Sequence, residues 1–142
     1  ITVRSAIIFG KAGLISLDYS SKNYNGLYLS GDDFSQENLF FDNQLKRANS
    51  IHLGTEWRIN QLSLRGGFQY EESPYTNTVL SDNLETYSFG LGYNFGSIKL
   101  DLAYRKNNKN EQYNFYSQYN QVEPAQLDID NTVITIGFSV NI

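Results

Sequence analysis

Ser88-Phe89-Gly90-Leu91-Gly92-Tyr93-Asn94-Phe95 sets Phe, Leu, Tyr and Phe at every second position, with Ser, Gly, Gly and Asn between them. Strict alternation gives a strand with one greasy and one polar face. Ile98-Lys99-Leu100-Asp101-Leu102-Ala103-Tyr104-Arg105 repeats the pattern, and there the polar positions carry charge. Which face points inward then separates a soluble barrel from a transmembrane one.

Composition narrows the classes. The chain has 142 residues, enough for one domain. It has no cysteine, which excludes disulfides and thiolate metal sites. The net charge is -4 and no basic run is present, so nucleic acid is not an expected partner. The mean hydropathy of -0.44 resembles that of a soluble protein. A transmembrane barrel gives the same average, because half of each strand and every loop is polar. Eleven Tyr and nine Phe are a heavy aromatic load. No apolar run approaches the roughly 20 residues of a membrane helix. With no methionine and no signal peptide, the expectation is a piece of a longer precursor.

Seven strand-like segments are expected: Ile1–Phe9, Leu14–Tyr24, Ala48–Ile59, Leu62–Glu71, Glu85–Phe95, Ile98–Arg105 and Thr132–Ile142. No segment shows helical periodicity of comparable strength. Short turns fall at Gly10-Lys11-Ala12-Gly13, Asn60-Gln61 and Gly96-Ser97. Gly96-Ser97 suits a type I′ or II′ hairpin. Long polar connections fall at Asn25–Arg47, Glu72–Leu84 and Lys106–Asn131. The last holds the Asn/Gln/Tyr-rich run Lys106–Tyr116, read as a solvated surface loop, with room for a short strand extension, rather than as a ligand-contacting loop. Short turns alternating with long loops are what an outer-membrane barrel shows, with tight periplasmic turns and longer external loops.

The apolar parity collects Val3 and Ile7, then Ile15, Leu17 and Tyr19, and so on to Ile134, Ile136, Phe138, Val140 and Ile142. None of its members is charged. The opposite parity collects Arg4, Asp18, His52, Glu56, Arg58, Arg65, Lys99, Asp101 and Arg105. An Arg or Lys facing lipid near mid-membrane costs about 2–4 kcal/mol. A dry core would also reject these charges without partners. A hydrated lumen accommodates them, with Arg58 and Arg65 near Asp101, Glu56 or Asp18. A small soluble barrel would invert the two faces, and the pattern alone permits that. Loop asymmetry and aromatic placement favour the membrane. Phe9, Trp57 and Phe95 lie near the short turns, and Tyr19, Tyr70, Tyr87 and Tyr104 toward the long loops. Two aromatic girdles are expected of transmembrane barrels.

The fold expected is therefore all-β: a transmembrane antiparallel up-and-down β-barrel, one domain over residues 1–142, with about seven strands in this chain. Its place is the outer membrane of a Gram-negative bacterium. The C-terminal run Thr135-Ile136-Gly137-Phe138-Ser139-Val140-Asn141-Ile142 resembles the signal that such barrels present to their assembly machinery. Gly137, Phe138, Val140 and Ile142 carry that match. Bacterial versions usually end in an aromatic residue, from which Ile142 departs.

Three stretches are similar to the FadL/TodX family of outer-membrane transporters, in its Bacteroidetes form. They are Gly10–Tyr19, Leu64-Arg65-Gly66-Gly67-Phe68-Gln69-Tyr70 leading to Ser73-Pro74-Tyr75, and the hairpin Tyr87–Tyr104. The resemblance implies a fourteen-stranded barrel, plugged by an N-terminal hatch, passing hydrophobic compounds inward and releasing them sideways through a wall kink. Some members are described as haemin receptors. Strand parity agrees with missing upstream strands. If the last strand ends in the periplasm, an odd number of strands must precede Ile1, and seven would complete fourteen. Ile1 would then lie in an external loop.

No catalytic, cofactor or metal residue is assigned, and no cofactor is expected. His52 and Glu56 lie about 13 Å apart along a strand, too far for a dyad. A lumenal histidine is favoured over a haem ligand or a catalytic base. The acidic loop residues Asp32, Asp33, Glu37 and Asp42 lack a calcium-loop pattern. Strand glycines Gly66, Gly67, Gly90 and Gly92 are read as relieving crowding beside large aromatics rather than opening a wall gap. The leading function is a channel for hydrophobic small molecules such as long-chain fatty acids. A family-related scaffold or shuttle in protein secretion or surface assembly is the alternative, and an outer-membrane enzyme comes last. Expected partners are outer-membrane lipid, the N-terminal half of the same barrel, a hydrophobic ligand and other outer-membrane or secretion components.

Overall fold

The computed structural model describes residues 1–76, 83–113 and 125–140. Seven strands form one sheet in chain order: β1 (Thr2–Ile8), β2 (Gly13–Asn23), β3 (Arg47–Ile59), β4 (Leu62–Glu71), β5 (Leu84–Asn94), β6 (Ile98–Tyr113) and β7 (Ala125–Val140). Every neighbouring pair is antiparallel. The sheet is an up-and-down meander and is not closed: β1 and β7 each pair on one side only among the described residues.

In such a meander alternate connections lie at the same end. The three tight turns therefore share one end, and the three longer connections share the other. Each turn has a residue suited to it. Gly10 and Asn60 hold the left-handed region, at φ 57° and 54°. Gly96, at φ 96°, is the first central residue of a two-residue loop closed by the Phe95 N–H donating to the Ile98 carbonyl at 2.7 Å. That is the position a type II′ turn reserves for glycine.

Two elements differ from the sequence expectation. The Lys106–Asn131 loop is in large part strand: β6 runs on to Tyr113 and β7 starts at Ala125. Register continues without a break from Arg105↔Val133 to Tyr113↔Ala125. Backbone pairing and alternation of Leu127 and Ile129 with Asp128 and Asp130 outweigh the weak β preference of Asn, Lys and Gln. Residues 114–124 of that loop lie outside the described residues, as do 77–82 of the second long loop. The other difference is a helix, α1 (Ser35–Gln44), preceded by a 3-10 turn over Asp32–Phe34. It buries none of its residues, so it has no apolar stripe to signal it. The Asn38 amide clamps the Leu29 N–H and carbonyl at 2.8 and 2.9 Å, tying the helix to the preceding loop.

The sheet has almost no core. Among the described residues Leu45 and Ala48 are the buried hydrophobic ones, and they sit at the long-loop end, where Leu45 bridges to Tyr75. The register aligns the two faces across all seven strands. Val3, Tyr19, Ile51 and Tyr70 stand in one row, and Leu64, Leu91, Leu102 and Ile136 in another. These side chains form one apolar face, and no element among the described residues covers it: Ile136 is 77% exposed and Phe89 64%.

Candidate functional site

The other face gathers the charges. Arg4, Asp18 and His52 are direct cross-strand neighbours, as are Glu56 and Arg65. Arg58 and Glu56 share a side of β3, Lys99 and Asp101 a side of β6, and Arg105 stands opposite Ser88. All nine residues singled out in the sequence therefore lie on one face of one sheet.

Five of them form a continuous ladder. Arg58 Nε lies 2.7 Å from Glu56 Oε1, and Arg65 Nε 3.2 Å from Glu56 Oε2. Arg65 Nη1 donates to Asp101 Oδ1 at 2.8 Å, and Lys99 Nζ lies 3.2 Å from Asp101 Oδ2. Arg65 is on β4 and Asp101 on β6, so the guanidinium crosses the whole width of β5. Gly90 and Gly92 make the crossing possible. A Cβ on Gly92 would stand 2.5 Å from Asp101 Oδ1, and one on Gly90 3.2 Å from Arg65 Cβ. These glycines relieve crowding beside a charged pair rather than beside an aromatic ring.

Of the four remaining predicted residues, Arg4, Asp18 and His52 pair locally, whereas Arg105 has no ion-pair or hydrogen-bond partner among the described residues. Arg4 Nε is 3.6 Å from Asp18 Oδ2, so Asp18 serves Arg4 and not Arg58 or Arg65. His52 Nε2 lies 3.5 Å from Glu71 Oε1, which also accepts from Gln69 Nε2 at 2.8 Å. Glu71 is a member of this face that the sequence reading missed, although it shares the parity of Arg65 on β4. Lys22 on β2 was missed in the same way. Directly opposite His52 are Asp18 and Gln69. No serine hydrogen-bonds its ring among the described residues, so the nucleophile–base pair of a hydrolase is not assembled there.

Among the described residues no group of three or more His, Asp or Glu is arranged to hold a metal ion. Asp33, Glu37 and Asp42 are exposed on the helical loop. Of the assembly-signal residues, Gly137, Phe138 and Val140 lie on the last turns-ward stretch of β7, with Phe138 opposite Leu100 and Val140 opposite Ile98. Ile142 lies outside the described residues. No protein-family model matches the chain, and no curated protein sequence matches it.

Proposed function

We propose that this sheet is part of the wall of an outer-membrane β-barrel, apolar face to lipid and charged face to a hydrated lumen, and that the barrel is a channel for hydrophobic small molecules. One observation carries the membrane reading: an uncharged band, apolar but for Ser5, Thr55 and Gly66, runs over seven strands and ends on four of them at a tyrosine. Beyond Tyr19, Tyr70, Tyr87 and Tyr104 the same face turns polar, at Ser21, Glu72, Glu85 and Lys106. The tyrosine line is slanted. Tyr19 is level with Tyr70, whereas Tyr104 is level with Ile15, four residues lower on β2. Four residues are about 13 Å and four strand spacings about 19 Å, an inclination of roughly 35°. Strands of membrane barrels tilt by about 35–45° to the normal. At the turn end Phe9 stacks on Trp57 at 5.4 Å, and Tyr93 meets Phe95 at 4.5 Å, as a second girdle.

Exposed area supports the same reading. A compact protein of 16.2 kDa shows roughly 7,500 Å² to solvent, whereas this chain shows 10921 Å². A layer must cover an apolar sheet face in any stable fold. Lipid covers it here, and the open edges of β1 and β7 are closed by the other strands of the barrel.

The transport reading rests on the resemblance to FadL/TodX transporters, with the charged face as the lumen wall. Its test is uptake of a fatty acid or an alkane by a deletion strain, with and without the full-length gene. Restored uptake supports the channel. Unchanged uptake across a broad ligand panel favours a scaffold or shuttle in secretion.

A further inference from the structure

Three of the four arginines on the charged face meet a carboxylate: Arg4 meets Asp18, and Arg58 and Arg65 meet Glu56. Arg105 meets none among the described residues, and it is exposed. The registers explain why. Ser88 and Val133 stand directly across from it, Ala103 and Asn107 flank it along β6, and Thr86 and Thr135 are diagonal neighbours. None of these is acidic. Asp101, the closest carboxylate along that side of β6, is already held by Arg65 and Lys99. The N–H fork of Arg105 is therefore unspent, beside an open hollow of about 430 Å³ that Arg65, Ser88 and Thr135 also line.

A second unspent group stands two residues further along the same side of β6. Asn107 Oδ1 is buried and accepts no hydrogen bond among the described residues. A covered acceptor without a donor costs about 1–3 kcal/mol. Arg105 and Asn107 are about 7 Å apart along the strand, so one small ligand can touch both once the amide turns toward the hollow. Such a ligand must offer acceptors to the guanidinium and one donor to the amide oxygen.

The chemistry of the two groups selects among anions. An arginine fork fits the edge of a tetrahedral oxyanion in a bidentate pair. Sulfate offers acceptors only and leaves Asn107 Oδ1 unmatched. Phosphate that keeps a proton offers acceptors and one P–OH donor. The Ser88 and Thr135 hydroxyls can donate to its other oxygens.

We propose that Arg105 and Asn107, with Ser88 and Thr135, form a binding site for a protonated phosphate ion. Arg105 follows Tyr104, where the apolar band ends on β6, so the site lies toward the long-loop mouth of the lumen. The proposal goes beyond the channel reading. It needs a wet charged face and nothing about hydrophobic cargo.

The test uses the full-length protein in lipid nanodiscs, titrated calorimetrically at pH 6 and constant ionic strength with potassium phosphate and with potassium sulfate. The wild type is expected to bind phosphate roughly 10-fold more tightly than sulfate. Arg105→Gln should weaken both by about 10-fold or more, and Arg105→Lys should recover part of the loss. Asn107→Leu should remove the preference, weakening phosphate and leaving sulfate as it was. Heat-modifiable mobility of each variant verifies assembly before titration. Glycerol 3-phosphate, titrated alongside, separates the sources of the group: tighter binding than inorganic phosphate assigns the site to a monoester, and weaker binding to the free ion. A wild type that binds neither phosphate nor its ester, a wild type without preference over sulfate, or phosphate affinity that Arg105→Gln leaves unaltered overturns the site. Uptake of hydrophobic compounds is a separate measurement, so failure here leaves the channel reading standing.

Discussion

Arg65 reaches Asp101 because the strand between them presents no side chain at that level. The pairing at 2.8 Å depends on Gly92, whose added Cβ would meet Asp101 Oδ1 at 2.5 Å. Gly92→Val should therefore destabilise the sheet by about 1–3 kcal/mol through overpacking. The readout is a lower temperature for the gel-mobility shift, and an unchanged temperature would show that the ladder is dispensable. Arg65→Ala should cost less, about 1 kcal/mol, and less still in high salt, because its pairs with Glu56 and Asp101 remain partly exposed. On the opposite face the expectation is larger. Leu91→Arg should cost about 2–4 kcal/mol if lipid lies outside, and next to nothing if water does. The parity of these residues was legible in the sequence. The Arg65–Asp101 contact stood among the pairings that parity allows, but singling it out needs the registers of β4, β5 and β6 together, and a single strand's alternation carries no register.

Among the elements, the strands with alternating Leu, Ile, Phe and Tyr were legible to within a few residues, and so were the three tight turns. The outer half of the β6–β7 hairpin was not. Its Asn, Lys and Gln residues have the composition of a loop, and only pairing with Asp128–Asp130 and their neighbours makes them strand. Helix α1 was invisible for a related reason: with no buried residue it leaves no periodic trace. The sidedness of these elements is testable because the chain has no cysteine of its own. A single cysteine at Asp128 on the hairpin should react with a membrane-impermeant maleimide on intact cells, while one at Ser97 in a tight turn should react only after the outer membrane is permeabilised. The reverse pattern would put the long loops in the periplasm and contradict the proposed orientation.

For the molecule as a whole, the open sheet, the bare apolar face and the paired charges make sense together if lipid lies on one side and a wet interior on the other. A water-soluble body would need a second layer over Leu91, Leu102 and Ile136, and among the described residues none is present. Closure into a barrel rests on the resemblance and on strand parity alone, since the sheet is open at β1 and β7 among the described residues. Facing is what a direct measurement can decide. Nitroxide labels at Ile134, Thr135 and Ile136, placed one at a time in the full-length protein in lipid, report relaxation by oxygen and by a water-soluble nickel complex. The account predicts that oxygen dominates at 134 and 136 and nickel at 135. Nickel dominating at 134 and 136, or neither reagent reaching them, would contradict it.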